Sequence, residues 1–276
     1  MMRETVLSPK ARQGIAYWLE LWGARELLFF LAWRDVVVRY KQASLGIAWA
    51  ILRPLLTTLV FTLVFGKVAR LASPSGDIPY LLLVLSGMTP WLYFANTVNE
   101  CGNSLISNSS LITKVYFPRL VVPISGVLAN FVDLGITLVL LCAMLVWFGT
   151  GIGWHILLVP VILITLMMLS VGLGLWVAAL NAKYRDVSFI MPFVITFGLY
   201  LSPIGFSSSA IPEQWRGLYG FNPIVGVVEG FRYTLFGDRY PFEPWTLGFS
   251  LLLAVVLIIT GVTYFRSIER EIVDII

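Results

Sequence analysis

"ILLVPVILITLMMLSVGLGLWVAAL", residues 156–180, is the stretch of the sequence that decides the fold class. It runs for 25 residues without one Asp, Glu, Lys or Arg. A helix needs about 20 mostly apolar residues to cross the hydrocarbon layer of a bilayer. This stretch therefore predicts a helix that spans a membrane.

The rest of the chain repeats this pattern. Of its 276 residues, 58% are hydrophobic and 12% are charged, whereas a soluble domain is about 25% charged. Six apolar runs are candidate spans: 47–65, 80–98, 120–148, 156–180, 189–206 and 245–265. We therefore predict an all-α polytopic membrane protein with six transmembrane helices.

The basic residues orient these spans. Six spans place both termini on the same side, and Lys and Arg are enriched in cytoplasmic segments. With the termini inside, the cytoplasmic segments hold 13 of the 19 Lys and Arg residues, the external segments hold 5, and Arg53 lies within the first span. Both termini are therefore predicted to be cytoplasmic.

Two segments are predicted to lie at the membrane without crossing it. Apolar residues recur on one helical face between Phe29 and Tyr40, with Arg34, Asp35 and Arg39 opposite. This pattern predicts an amphipathic interfacial helix with its basic side toward headgroups, serving either as an anchor alone or also as a docking face. Residues 224–236 number only 13, which favours an external re-entrant helical hairpin between spans five and six over a surface loop.

Enzyme chemistry finds no support in the sequence. It lacks the G-x-x-x-x-G-K-[ST] loop that cradles nucleotide phosphates. His155 is the sole histidine, which argues against a histidine metal cluster or a Ser/His/Asp triad. No cofactor is predicted on this chain, and the basic pI is explained by membrane topology rather than by nucleic-acid binding.

Aromatic and polar residues within the spans are the candidates for function. Six aromatic residues lie in the second and fifth spans at helical spacing: Trp91, Tyr93, Phe94, Phe193, Phe197 and Tyr200. They either pack and face lipid or line a path for sugars, since an apolar ring face packs on pyranose C–H groups. Polar residues within apolar segments are functional candidates, and Asp133, Glu229 and Arg53 are of this kind. Two of them have a simpler explanation: Asp133 can form interhelical hydrogen bonds, and the Arg53 side chain can extend to the membrane interface.

Four motifs in order resemble one transporter family. "RDVVVRYKQASLGIAWAILRP" (34–54) leads into the first span, and "KVYFPR" (114–119) lies between spans two and three. "NAKYRDV" (181–187) follows span four, and "NPIVGVVEGFRYTLFG" (222–237) precedes span six. Together they closely resemble the permease subunit of ABC-2-type polysaccharide exporters, the O-antigen (lipopolysaccharide) export family.

This resemblance implies a single ABC-2-type transmembrane domain over 1–276, with a cytoplasmic part at 1–46, spans within 47–265 and a tail at 266–276. It implies a multi-pass homodimer in the bacterial inner membrane that docks two copies of a cytoplasmic ATP-binding subunit, which binds ATP and Mg. The implied cargo is a polysaccharide linked to undecaprenyl pyrophosphate. The chain itself is then a transporter permease and not an enzyme.

The resemblance also implies that the interfacial helix and the loop after span two form the cytoplasmic docking region, and that the hairpin before span six forms external gate helices. Because a loop that couples an ATPase to helices must be stiff, we expect a short coupling helix over 103–113, surrounded by Arg34, Arg39 and Arg185. The predicted ATPase-coupling residues are Arg34, Asp35, Arg39, Tyr116, Phe117, Pro118, Arg185 and Asp186. Arg53 and Arg119 are expected at the entrance for the lipid pyrophosphate, because charge-assisted bonds to phosphate oxygens are strong. Pro223, Glu229 and Phe231 are expected in an external gate.

Other cargoes and another class remain open on the sequence. A teichoic-acid or capsular-polysaccharide exporter, or one for a small drug-like molecule, would carry the same pattern. A stand-alone membrane glycosyltransferase would need acidic catalytic residues or a metal site, and the spans offer only the scattered Asp133 and Glu229.

Overall fold

The computed structural model describes residues 15–41, 46–71, 73–74, 76–151, 153–184 and 186–269. This part of the chain is helical and contains no strand. Its α-helices are α1 (Ile15–Gly23), α2 (Arg25–Lys41), α3 (Ala48–Phe61), α4 (Tyr80–Ser107), α5 (Ser109–Ile112), α6 (Val121–Trp147), α7 (Val159–Lys183), α8 (Val187–Leu201), α9 (Glu213–Tyr219), α10 (Pro223–Phe236) and α11 (Pro244–Ile268). The predicted all-α polytopic class is confirmed.

Within the residues that the structure describes, five helical segments are long and apolar enough to span a membrane: Ala48–Val68, Tyr80–Ser107, Val121–Trp147, Trp154–Lys183 and Pro244–Ile268. The first continues α3 through a π-helix, and the fourth includes a 3₁₀ turn before α7. The remaining predicted span forms α8, which has 15 residues and a length of about 22 Å at 1.5 Å per residue. Since the hydrocarbon layer is about 30 Å thick, crossing by this segment stays a prediction.

Helix α4 is the centre of the bundle, because 78% of the residues in its most apolar stretch are buried within the protein. It packs on α6, α7 and α10. Small residues permit this close packing: a Cβ atom added to Gly174 of α7 would lie 2.6 Å from Cβ of Cys101. Helices α7 and α11 approach equally closely, because a Cβ on Gly172 would lie 2.7 Å from the backbone nitrogen of Ile258.

The prediction of a single short helix over 103–113 is wrong. Helix α4 continues to Ser107, and a separate four-residue helix, α5, follows. Asn108 separates the two, with φ −110° and ψ 21°, and its Nδ2 donates a hydrogen bond to the Ser104 carbonyl at 2.9 Å. The Asn108 backbone N–H bonds to the same carbonyl at 3.1 Å, and asparagine side chains that bond to nearby backbone groups favour turns and helix ends over helix interiors.

Candidate functional site

Arg39 is the point at which α2 joins the bundle. Its guanidinium pairs with the carboxylates of Glu100 in α4 and Asp133 in α6, and its Nη1 donates to Asn130 Oδ1 at 3.1 Å. Charges withdrawn from water require such pairing. This part of the polar side of α2 therefore faces protein carboxylates, whereas the sequence pattern suggested lipid headgroups.

A second polar contact fixes α2 one and a half turns earlier. Arg34 donates from Nη2 to Asp35 Oδ1 at 2.7 Å and to Asn108 Oδ1 at 2.9 Å. Because Asn108 stands between α4 and α5, this contact ties α2 to the end of α4. The apolar residues Phe29 and Trp33 of α2 are 63% and 69% exposed, as expected for a face in contact with lipid.

Two cavities border Arg39. The first, of about 220 Å³, lies among α2, α3, α4 and α6, and its walls include Arg53 and Asp133. The second, of about 510 Å³, is bounded by α2, α4 and α6, and its walls include Arg34 and Glu100. Arg39 lines both cavities, so displacement of α2 would change the shape of both.

In the loop between α5 and α6, one aromatic residue is exposed and the next is buried. Tyr116 is 74% exposed, whereas Phe117 is 9% exposed and packs in a cluster that includes Tyr17 and Leu120. Pro118 is also buried and restricts the backbone at this corner. Tyr116 is therefore available to a partner surface, and Phe117 holds the loop on the bundle.

Arg119 takes part in a separate group at the end of α11. Its backbone N–H donates to Glu269 Oε1 at 2.9 Å, and the Tyr17 hydroxyl donates to the same oxygen at 3.3 Å. The Arg266 guanidinium lies 4.3 Å from the centre of the Tyr17 ring. Burial raises the pKa of the Tyr17 hydroxyl, and the Glu269 charge adds to this rise. These contacts join α1, the loop and α11.

The predicted basic entrance is not a single cluster. Arg53 lines the cavity of about 220 Å³, whereas the backbone of Arg119 binds Glu269. Asp186 is exposed at the start of α8. Arg185 lies outside the residues that the structure describes.

The two aromatic groups have different environments. Trp91, Tyr93 and Phe94 of α4 are 4%, 3% and 8% exposed, and Trp91 packs over Gly198 of α8. The α8 group is exposed, with Phe193 at 70%. In the described part of one chain, Trp91 and Phe94 pack within the bundle, Tyr93 also lines the cavity of about 220 Å³, and the α8 set is exposed.

The predicted gate residues lie on α10, whose side chains are mostly buried. Pro223 begins this helix, and Glu229 and Phe231 are each 1% exposed. The Ser208 N–H donates to Glu229 Oε1 at 2.9 Å. Burial raises the pKa of the Glu229 carboxyl above its ordinary value, although the hydrogen bonds from Ser208 oppose this rise.

Arg232 of α10 is a functional candidate that the sequence pattern does not reveal, since it is one of the five basic residues in the predicted external segments. It is fully buried and donates to the carbonyls of Leu83, Ile204 and Phe206 at 2.9, 2.7 and 2.9 Å and to the Tyr240 hydroxyl at 3.1 Å. A single cation within an apolar helix of 14 residues was the available signal.

Comparisons with known proteins agree with this architecture. The family model described as ABC-2 type transporter matches residues 26–236. An O-antigen export system permease protein RfbA from Myxococcus xanthus is 29% identical over 91% of this chain and 96% of its own length. The polysialic acid transport protein KpsM of Escherichia coli is 25% identical over 86% of this chain and 91% of its own length.

A capsule polysaccharide export inner-membrane protein CtrC from Neisseria meningitidis is 25% identical over 84% of this chain and 86% of its own length. These matches, together with the helical spans, confirm that the chain is a membrane-spanning transport permease and not an enzyme. The chain belongs to the ABC-2 type transporter family.

Proposed function

We propose that this chain is the transmembrane subunit of an ATP-driven exporter that moves lipid-linked O-antigen polysaccharide across the bacterial inner membrane. The observation that carries this proposal is the similarity to O-antigen export permeases from Myxococcus xanthus and Klebsiella pneumoniae over 91% of the chain. The carrier is undecaprenyl pyrophosphate or a similar isoprenoid pyrophosphate. Both termini face the cytoplasm.

The exporter is a homodimer that docks two copies of a cytoplasmic ATP-binding subunit. Helix α8 supports a second copy, because it is apolar yet has no buried side chain in the single chain. Phe193, Phe197 and Tyr200 are 70%, 56% and 57% exposed and are the candidates to line a glycan path between two copies. Trp91, Tyr93 and Phe94 would support that wall from behind, through α4.

The ATPase-coupling residues act in two ways under this proposal. Tyr116 and Asp186 are exposed and are candidates for direct docking. Phe117 and Pro118 hold the loop in place, and Arg34, Asp35 and Arg39 transmit motion of α2 to α4 and α6 through the ion pairs described above. Transmission needs contacts that differ between two states, and an ion pair that breaks when α2 moves meets this requirement.

Arg53 and Arg119 act separately in substrate entry. Arg53 is exposed at the mouth of a cavity, where a phosphate group arriving from the inner leaflet would meet it. Arg119 lies in the loop that borders the predicted cytoplasmic surface. Pro223, Glu229 and Phe231 belong to the gate on the opposite side, with Arg232 as its internal support.

Reconstitution tests this function. The chain is purified with the ATP-binding subunit of the same organism's exporter and placed in liposomes, and ATP hydrolysis is measured with and without isoprenoid-pyrophosphate-linked glycan. We expect the glycan to stimulate hydrolysis and to become accessible to an enzyme on the far side of the bilayer. Glycan synthesis or extension by the chain alone would overturn the proposal.

Capsular polysaccharide is the second candidate cargo, because the relatives KpsM and CtrC are named for polysialic acid transport and capsule polysaccharide export. A teichoic acid is a third. The same liposomes distinguish them when the added lipid-linked glycan carries an O-antigen, a capsular polysaccharide or a teichoic acid. Stimulation by the capsular polysaccharide alone would favour a capsule exporter.

A further inference from the structure

The cavity of about 220 Å³ beside Arg39 has features of a binding site. It is enclosed by α3 on one side and by α2, α4 and α6 on the others. Its walls combine aromatic, aliphatic and polar side chains: Trp49, Leu92, Tyr93 and Leu134 are apolar or aromatic, and Arg53, Asn96, Asn130 and Asp133 are polar. A small number of polar groups in an apolar wall is the usual composition of a ligand site.

Several polar groups in these walls have bonds left to make. The hydroxyls of Tyr40 and Tyr93 and Asp133 Oδ1 are buried without a hydrogen-bond partner among the described residues. The other oxygen of Asp133 is occupied by Arg39. Buried polar groups normally have partners, so three such atoms on one cavity indicate that something polar belongs there.

Two more groups extend this set. Across the residues that the structure describes, the side chains of Arg53 and Asn96 have no polar partner. The cavity thus offers an unpaired acceptor in Asp133, unpaired donors in Arg53, and both kinds in Asn96 and Tyr40. A ligand that satisfies them must itself donate and accept hydrogen bonds at several neighbouring atoms.

The chemistry of the walls excludes two simpler occupants. A lipid tail would leave the buried hydroxyls of Tyr40 and Tyr93 and the buried Asp133 Oδ1 without partners, at a cost of about 1–3 kcal/mol for each. A metal cation would find only one carboxylate in the walls, that of Asp133, and this carboxylate already neutralises Arg39. A compact ligand with several hydroxyl groups satisfies both the donors and the acceptors.

The dimensions agree with a single sugar ring. At about 30 Å³ for each water, a volume of about 220 Å³ holds several waters, yet it is smaller than the pockets of roughly 300–1,000 Å³ that take drug-sized ligands. Trp49, which is 46% exposed, lies at the side of α3, where its ring can pack on pyranose C–H groups.

We propose that this cavity binds one pyranose unit of the exported glycolipid, the unit nearest its lipid carrier. This inference rests on the proposed function, because it takes the substrate to be a lipid-linked glycan. A sugar beside the carrier stays at headgroup depth and meets α3 from the inner leaflet. Arg53 at the mouth then contacts the phosphate while Asp133 and Asn96 bind ring hydroxyls.

Substitutions on α3 and α4 test the site without removing the ion pairs of Arg39. Ala50→Leu places a larger side chain in the cavity, and Ala48→Leu makes the same change two residues away, outside the cavity walls. Asn96→Leu removes the unpaired amide from α4 with little change in volume. All three variants are assembled with the ATP-binding subunit in lipid nanodiscs, and their thermal stability is compared with the unsubstituted complex.

Two probes are applied to each complex. The first is a panel of methyl glycosides of hexoses and N-acetylhexosamines, whose binding is measured by saturation-transfer NMR. The second is the same sugar on a farnesyl pyrophosphate, measured by stimulation of ATP hydrolysis. We expect at least one glycoside to bind, and both responses to weaken about tenfold or more in A50L and N96L but not in A48L. N96L loses one or two hydrogen bonds to the sugar, whereas the A50L side chain occupies part of the space that the ring needs.

The outcomes separate the cavity from the exporter. If no glycoside binds, or if A50L binds it as well as A48L does, the cavity holds only water and the inference is overturned. Glycolipid stimulation that persists unchanged in A50L also overturns it, while leaving the export function intact. A third outcome separates the two proposals. If A50L abolishes glycoside binding but no lipid-linked glycan stimulates ATP hydrolysis by the complex, the sugar site is supported and the export function is not.

Discussion

Replacing Arg232 with methionine should loosen the segment between α8 and α9. The guanidinium joins Leu83 in α4 to the Ile204 and Phe206 carbonyls of that segment. In the described part of the chain these two carbonyls have no other hydrogen-bond donor, whereas the Leu83 carbonyl retains a bond from Ser86. The substitution therefore strands two acceptors and keeps the apolar bulk of the side chain.

The size of the effect follows from those two carbonyls. Each buried acceptor left without a donor costs about 1–3 kcal/mol, so the pair costs about 2–6 kcal/mol. Removing a buried cation offsets part of this cost. We expect a net loss of about 3 kcal/mol in the free energy of local opening, which corresponds to about 100-fold faster amide exchange.

Hydrogen–deuterium exchange of the complex in nanodiscs measures this loss. The amides of Ile204 and Ser208 are the reporters, since their N–H groups bond to the Ser202 carbonyl and to Glu229. Arg239→Met is the matched control, because Arg239 is exposed and its removal should cost less than about 0.5 kcal/mol. Unchanged protection in R232M, or equal loss in R239M, would refute the reasoning.

Four further predictions address the same contacts. Gly87→Ala places a Cβ 2.6 Å from Arg232 Nη2 and 3.2 Å from the Ile204 Cα, so it should destabilise by about 1–3 kcal/mol in SDS unfolding titrations, and unaltered unfolding would contradict this. Arg39→Gln strands two carboxylates and should cost about 2–4 kcal/mol, below a fully buried pair because Arg39 is 26% exposed; wild-type unfolding free energy in R39Q would contradict it. Because burial raises the pKa of Glu229 in the folded protein, its ionisation lowers the free energy of unfolding as pH rises above the ordinary carboxyl pKa. Glu229→Gln should therefore be more stable at neutral pH, with a stability that depends less on pH, and an unchanged pH profile of unfolding would count against this. Phe117→Ala should lower thermal stability whereas Tyr116→Ala should lower only glycan-stimulated ATP hydrolysis, since the first is 9% and the second 74% exposed; the reverse pattern would exclude the assigned roles.

The spans were predictable because their signal is local. Residues 156–180 carry no charge, and a run of that length must either cross a membrane or be buried wherever it lies. The family motifs were also recognisable from the sequence, since their order along the chain is a property of the sequence. The break at Asn108 was less predictable, because it depends on the backbone angles and the side-chain hydrogen bond of one polar residue and not on hydrophobicity.

The sequence by itself thus determined the helical membrane class, the approximate spans and the permease family, because each depends on neighbouring residues or on motif order. Only the tertiary structure decided which polar residues meet. Glu100 and Asp133 lie 33 positions apart and both bind Arg39 from a third helix. Arg232 finds its acceptors up to 149 positions away, and the cavity at Arg53 exists only where four helices converge. Such contacts depend on how the helices pack, which the hydropathy pattern along the chain does not predict.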